Sequence, residues 1–443
     1  MSSQHPLPGD TVESRLPETQ APPPTVESAP LRQQSSTYPY PEPEVAANGR
    51  LSPPTALEKL SEPEDGHPVQ ARHEPEPDQV LEPLSSAATT LYTLSYLIFF
   101  SIFGALARLG LQALTFYPGA PVVTGVLWAN VGGSLLMGFF LEDKNIFREE
   151  WGRPQRKDDA NANNTSTEAE AEGKKRHTTV KKTIPLYIGL TTGFCGSFTS
   201  FSSFIRDVFL ALSNDLPNPG STSGSAPNGG YSFMALVAVL LTTVSLSIGA
   251  LLVGSHLALA LQKLNLSPTL PFRLTRCIID PLFVFLGIGC WIGTIFLSVF
   301  PPQGHGSWRG TATFAIVFAP LGTLARFYLS ILLNTRLPNF PLGTFTINIL
   351  GTLILAMCYN LQRSNPIITS SSAVVSCQVL QGVMDGFCGC ATTVSTWVAE
   401  INGLKRRRDA YVYGAVSVGV ASGVFVIVSG SLRWTRGFGD PVC

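Results

Sequence analysis

Charge is scarce in this sequence. Lys and Arg number 30 and Asp and Glu 30 among 443 residues, which leaves no net charge, and no run of them forms the basic patch that nucleic acid requires. Charged residues make up 14% of the chain and hydrophobic ones 45%, and the mean hydropathy is +0.22, a composition that excludes the two or three soluble domains the length would hold. No charged-then-apolar start marks a signal peptide. No Walker-type loop marks an ATP site. Eight cysteines occur, Cys195, Cys277, Cys290, Cys358, Cys377, Cys388, Cys390 and Cys443, most of them inside apolar segments, so no disulfide framework is expected. Cys388-Gly389-Cys390 lacks the spacing of a zinc site and has no histidine nearby.

Residues 1–85 are rich in Pro, Glu and Ser and cannot bury enough apolar surface to fold, so they read as a disordered cytoplasmic tail. Long apolar stretches follow near 89–114, 121–141, 184–212, 231–260, 276–300, 311–334, 342–360, 374–400 and 410–430. Stretches of about 20 residues cross a hydrocarbon core of roughly 30 Å, and backbone in lipid must satisfy its own hydrogen bonds, so nine helical spans are expected. The 142–183 loop carries Lys174, Lys175, Arg176, Lys181 and Lys182, and the 401–409 loop carries Lys405, Arg406, Arg407 and Arg408. Basic loops stay inside. The N-terminus therefore reads as cytoplasmic and the C-terminus as extracellular, opposed weakly by Arg433 and Arg436.

The chain repeats itself. Gly104-Ala-Leu-Ala-Arg108 matches Gly322-Thr-Leu-Ala-Arg326, and Gly125, Asn130, Gly133 and Leu135 match Gly343, Asn348, Gly351 and Leu353, all at an offset of 218 residues. The segment from Gly193-Phe-Cys-Gly196 through Thr199, Phe201 and Phe204 matches Gly386-Phe-Cys-Gly389 through Thr392, Val394 and Trp397, at an offset of 193. Each half then has four spans, over 86–262 and 309–432, with tail 433–443 after them. One linking span within 263–308 turns the second half over relative to the first. This inverted repeat places a site near the midplane.

The repeated residues carry two readings each. Asn130 and Asn348 are either glue between helices or neutral donors to a small anion. The paired glycines are either close packing or a helix break that frees carbonyls for a cation and Ser and Thr hydroxyls, such as Thr199, Thr392, Thr393 and Ser395, for a path. Ring edges of Phe201 and Phe204 are electropositive and can face an anion. Thr243, Ser245 and Ser417 make the last spans polar for their place. Arg108 and Arg326 either snorkel or serve function. Asp385 is the only acidic residue that looks deep in a span of the repeat, and Thr192 stands opposite it. No histidine lies in the signatures and the serines lack a base, so no enzyme is expected.

Over about 89–430, these residues resemble the CrcB-type Fluc fluoride channels of bacteria and the related fused fluoride export proteins of fungi. The resemblance implies an all-α membrane protein of two antiparallel four-helix units and passive fluoride conduction across the plasma membrane. It implies a monomer, since both units share one chain, with fluoride and the bilayer as partners. Asn130, Asn348, Phe201 and Phe204 would be pore residues, and backbone near Gly193, Gly196, Gly386 and Gly389 would hold a central structural sodium ion. Val394 and Trp397 depart from the pattern, which has Phe there. One pore would pair Phe201 with Trp397 and the other Val394 with Phe204, making the two unequal. A proton-coupled transporter is the rival; it would need an intramembrane carboxylate in each half. A non-transporting scaffold is a second rival.

Overall fold

The computed structural model describes residues 85–118, 120, 122, 124–148, 179–217, 229–301, 309–364 and 371–443. The Pro/Glu/Ser-rich tail and most of the basic loop lie outside the described residues. Helices carry the whole of the regular structure there. In chain order they are α1 (Ser86–Thr115), α2 (Leu127–Glu142), α3 (185–198), α4 (Phe201–Leu212), α5 (Gly229–Lys263), α6 (Phe272–Val299), α7 (Arg309–Leu333), α8 (Leu342–Ser364), α9 (371–391), α10 (Ser395–Gly403) and α11 (Arg407–Thr435). Seven stretches are long and apolar enough to cross a membrane: α1, α5, α6, α7, α8, Ser372–Gly403 and α11. Among the expected spans, α2 has only 16 residues, and 185–212 is interrupted between α3 and α4.

α6 shows the pattern inverted relative to a soluble helix. From Asp280 onward its buried residues are Asp280, Gly287, Thr294 and Ser298, at near-heptad spacing, and Thr275 is buried one turn before them. Phe285, Ile292 and Phe296 point outward. A polar and small stripe faces protein while large apolar side chains face the surroundings, as lipid requires. Asp280 anchors the inner stripe, accepting from Tyr96 Oη of α1 at 2.7 Å and pairing with Arg276 at 3.1 Å. Gly287 lets α1 approach: a Cβ there would lie 2.6 Å from the Ser95 carbonyl. Trp291 Nε1 donates to the Val317 carbonyl of α7 at 3.0 Å. α6 thus bridges the first helix of one repeat to the first helix of the other.

α2 and α5 pack through glycines. A Cβ on Gly138 would collide with the Leu251 carbonyl, and one on Gly254 with the Leu135 carbonyl. Lys181 closes the far end of α2, donating to the carbonyls of Phe140 (2.6 Å) and Asp143. Burial pushes its ammonium down to about 8, against the pull of Asp143 and Glu142.

The expectation of no disulfide is corrected: Cys377 of α9 is bonded to Cys443, 66 residues on. The tail after α11 folds back to reach it. Gly439 N–H donates to the Arg363 carbonyl at 3.1 Å, and Phe438 meets Tyr359 edge-on at 5.3 Å. Neither cysteine's sequence neighbourhood announces that return.

Overpacking the glycine seam should destabilise the protein. Gly138→Val and Gly254→Val are each expected to cost roughly 1–3 kcal/mol or more of stability, read as a lowered unfolding temperature in detergent. Gly249→Val on the same α5, where a Cβ meets nothing within 4 Å, should leave it unchanged.

Candidate ion pathway

Two helices stop at matching buried positions. α3 ends at Thr199 (φ −93°, ψ 152°) and α9 at Thr392 (φ −96°, ψ 149°), the same extended kink at matching positions. Each is preceded by a π-helical stretch, Gly189–Cys195 and Val383–Cys388, that leads into the glycine signature. A helix end orphans carbonyls behind it, and the next helix start orphans N–H groups ahead of it. Both kinks are fully buried, so these groups must be paired within the protein.

Each repeat supplies the caps of the other. Thr199 Oγ1 accepts from the N–H groups of Val394 and Ser395, both at 3.2 Å, at the start of α10. Thr392 Oγ1 accepts from Ser202 N–H at 2.9 Å, at the start of α4. Thr393 Oγ1 lies 3.1 Å from Thr199 Oγ1, and Ser395 Oγ donates to the Cys195 carbonyl at 3.1 Å. The two asparagines dress the kinks from within their own repeats. Asn130 accepts from Ser200 N–H (2.9 Å) and donates to its carbonyl (3.4 Å). Asn348 does the same at Thr393, at 2.9 and 3.3 Å. One amide hydrogen of each Asn remains beyond that bond.

The arginines do not snorkel; Arg108 is 1% exposed and Arg326 2%. Arg108 crosses to the second repeat, donating to the carbonyls of Gly389 (2.6 Å) and Asp385. Arg326 donates to the Thr192 carbonyl at 2.8 Å and the Cys390 carbonyl at 3.0 Å. Thr192 and Asp385 are the matched pair before each glycine signature. A Cβ on Gly196 would fall onto the Arg326 guanidinium, and one on Gly389 onto that of Arg108. Cations are thus set at the negative ends of two half-helices. It is the Asp385 main chain that meets Arg108; its carboxylate accepts from Gln381 at 2.6 Å.

Phe201, Phe204, Val394 and Trp397 are all buried. Phe201 stands edge-on to Trp397, with ring centroids 5.3 Å apart at 70°, and edge-on to Phe204 at 5.8 Å. Thr243 and Ser417 are also buried, and Ser417 donates back to the Tyr413 carbonyl of its own helix at 2.7 Å. Ser245 is exposed on the outer face of α5 and is not brought to the centre; Ser247, two residues on, is buried.

Two carboxylates escaped the sequence reading, so Asp385 is not the only acid within the repeated spans. Asp207 and Glu400 are related by the same offset of 193 residues, which is the signal that would have found them. Glu400 accepts from Thr344 Oγ1 (2.6 Å), Tyr413 Oη (2.7 Å) and Asn334 Nδ2 (3.4 Å). It lines a cavity of about 640 Å³ with Lys182, Thr192 and Arg326. Asp207 pairs with Arg206 at 3.3 Å and lines a second cavity of about 420 Å³ with Gln112, Arg363 and Asp385. The two cavities are built from matching elements of the two repeats.

Comparison with known proteins finds a match to the family described as CrcB-like protein, Camphor Resistance (CrcB), over residues 95–255 and 313–431. The chain is 55% identical over 373 residues to fluoride export protein 1 of Neurospora crassa, covering 81% of this chain and 70% of that one. It is 37% identical over 345 residues to fluoride export protein 1 of Candida albicans, covering 76% and 79%. A bacterial relative, the fluoride-specific ion channel FluC of Chromobacterium violaceum, is 28% identical over 128 residues, or 29% of this chain and 95% of that protein. No solved structure matches at a significant level.

Replacing Arg326 by Gln should strand the carbonyls it serves. The expected loss is roughly 2–4 kcal/mol of stability, measured as thermal unfolding in detergent. Arg336→Gln, at an exposed position of the same region, should have no effect.

Proposed function

The chain belongs to the CrcB-like family, and from that premise we infer that it is a multi-pass membrane channel through which fluoride leaves the cell. The observation that carries the inference is that the two family-matched stretches contain every residue of the reciprocal break, from Arg108 to Phe204 and from Arg326 to Glu400. Fluoride is small and tightly hydrated, so a pore must replace its water with donors at close range. The centre offers the remaining amide hydrogens of Asn130 and Asn348 and the ring edges of Phe201, Phe204 and Trp397, while the hydroxyls of Thr199, Thr392, Thr393 and Ser395, bonded to one another and to the Cys195 and Cys388 carbonyls, line the path and can turn toward the ion only by giving up those bonds. These donors are neutral and do not trap the ion. Export needs no pump where the membrane is negative inside, since that potential contributes roughly 2.3 kcal/mol per charge per 100 mV.

In the arrangement we propose, nine spans cross the plasma membrane. They are the seven long apolar stretches, α2, and α3 with α4 taken together as one broken span. The second repeat is inverted by α6, and the protein works as a monomer. The Cys377–Cys443 disulfide supports an extracellular C-terminus, because disulfides persist on the oxidising side. A structural sodium ion at the break is a further part of the proposal. Its donors would be the carbonyls near Gly193, Gly196, Gly386 and Gly389. The Gly389 carbonyl already accepts from Arg108, but each carbonyl has a second lone pair, so the neutral oxygen set suits one monovalent cation. It would neutralise the carbonyl ends that the arginines leave.

Purified protein in liposomes should release fluoride and retain chloride, at a rate indifferent to an imposed proton gradient. Exchange of sodium for N-methylglucamine should slow it. Chloride release as fast as fluoride, or efflux driven by the proton gradient, would overturn the channel reading.

The two pores are proposed to be unequal. Phe201 keeps an aromatic partner in Trp397, whereas Val394 offers Phe204 no ring. Phe201→Ile should therefore abolish most efflux and Phe204→Ile only a minor part. Equal losses in the two variants would contradict this.

A further inference from the structure

We propose that the indole N–H of Trp397 is itself a donor to the permeating anion, at the place where the matched first-repeat residue, Phe204, has only a ring edge. The inference deepens the fluoride reading and rests on it. Trp397 is 1% exposed, and no protein group among the described residues pairs with its Nε1. An indole nitrogen only donates. Leaving that donor buried and unpaired has a free-energy cost that a phenyl ring in the same space avoids, and more than nine in ten buried polar groups are paired. The N–H therefore calls for an acceptor that the polypeptide does not provide.

The surroundings favour an anion as that acceptor. Trp397 lies in the first turn of α10, a nine-residue helix whose positive dipole end points toward the break. Phe201 holds the indole edge-on at 5.3 Å, so the ring cannot easily swing to find another partner. α10 packs against α2 and α5. Both of those helices also bring a buried hydroxyl without a protein partner, Ser134 on α2 and Ser247 on α5. The residue matching Ser134 in the second repeat, Thr352, instead donates to the Asn348 carbonyl at 2.7 Å. Each of the three packed helices, α10, α2 and α5, thus carries a buried donor that no protein group among the described residues takes up. A cation has no use for an indole N–H, whereas fluoride, as a compact and strong acceptor, takes one linear bond from it.

The test uses the full chain in liposomes and, in parallel, protein labelled with ¹⁵N-tryptophan in detergent. Trp397→Phe keeps the ring and removes only the donor. It should slow fluoride efflux about tenfold or more, as expected for loss of one bond to a charged group, without lowering the unfolding temperature measured in the absence of fluoride. In the wild type, one of the six indole resonances, the one missing from Trp397→Phe, should move downfield on addition of fluoride and stay in place with chloride. Efflux from Trp397→Phe within about twofold of wild type, or an indole resonance that fluoride does not move, would overturn the proposal. The latter would assign the N–H to trapped water or to packing. If the variant does not fold, the resonance shift in the wild type decides alone. A wild type that conducts no fluoride would remove the channel reading itself.

Discussion

A helix that breaks inside a buried core exposes main-chain carbonyls and N–H groups where no water can serve them, and this protein contains two such breaks, at Thr199 and Thr392. Its architecture answers that constraint. The kinks at Thr199 and Thr392 are dressed by threonine hydroxyls from the opposite repeat, by asparagines from their own, and by arginines that reach across to the carbonyls before each glycine signature. Either half alone would leave caps unmade. Pairing of the halves is therefore a condition of their secondary structure as well as of their packing.

The same constraint shapes the electrostatics. Two guanidinium groups sit deep in the protein, but main-chain carbonyls at the ends of α3 and α9 absorb their charge. The remaining polar atoms at the centre are neutral hydroxyls and amides. Under the proposed function, a small anion there would meet neutral groups and no bare cation that would hold it. Further out, α6 ties the first helices of the two repeats together and turns its large apolar side chains outward, which keeps the seam between the repeats covered. The glycines of α2 and α5 bring those helices close enough for their carbonyls to be in contact range, leaving little slack around the centre.

Much of this was legible in the sequence, because repeated residues at fixed offsets mark the arginines, asparagines and breaks without any structure. The choice between glue and pore for Asn130 and Asn348 was not legible, since both readings need a buried amide; the bonds to Ser200 and Thr393 show what one face of each amide does. The direction of Arg108 and Arg326 was hidden too, because their acceptors are main-chain carbonyls, 277 and 134 residues away, that have no side-chain signature. Glu400 looked like the end of a span because the restart of α10 at Ser395, which tucks it inside, depends on the break. Ser245 and Ser247 differ only in the face of a helix, and α5 is apolar enough all round that its pattern does not choose between them. The Cys377–Cys443 bond depends on a tail that folds back, which no local pattern encodes.

The central claim is that each repeat holds the break of the other, and a double-mutant cycle between Thr199→Val and Ser395→Ala tests it most directly. These residues lie 196 positions apart in the chain, and their hydroxyls are 3.1 Å apart in the fold. Unfolding free energies of the four proteins in detergent should show a coupling of roughly 0.5–3 kcal/mol, as for side chains in one network. Effects that add to within about 0.3 kcal/mol would show that the two sites do not sense one another, and would contradict the account.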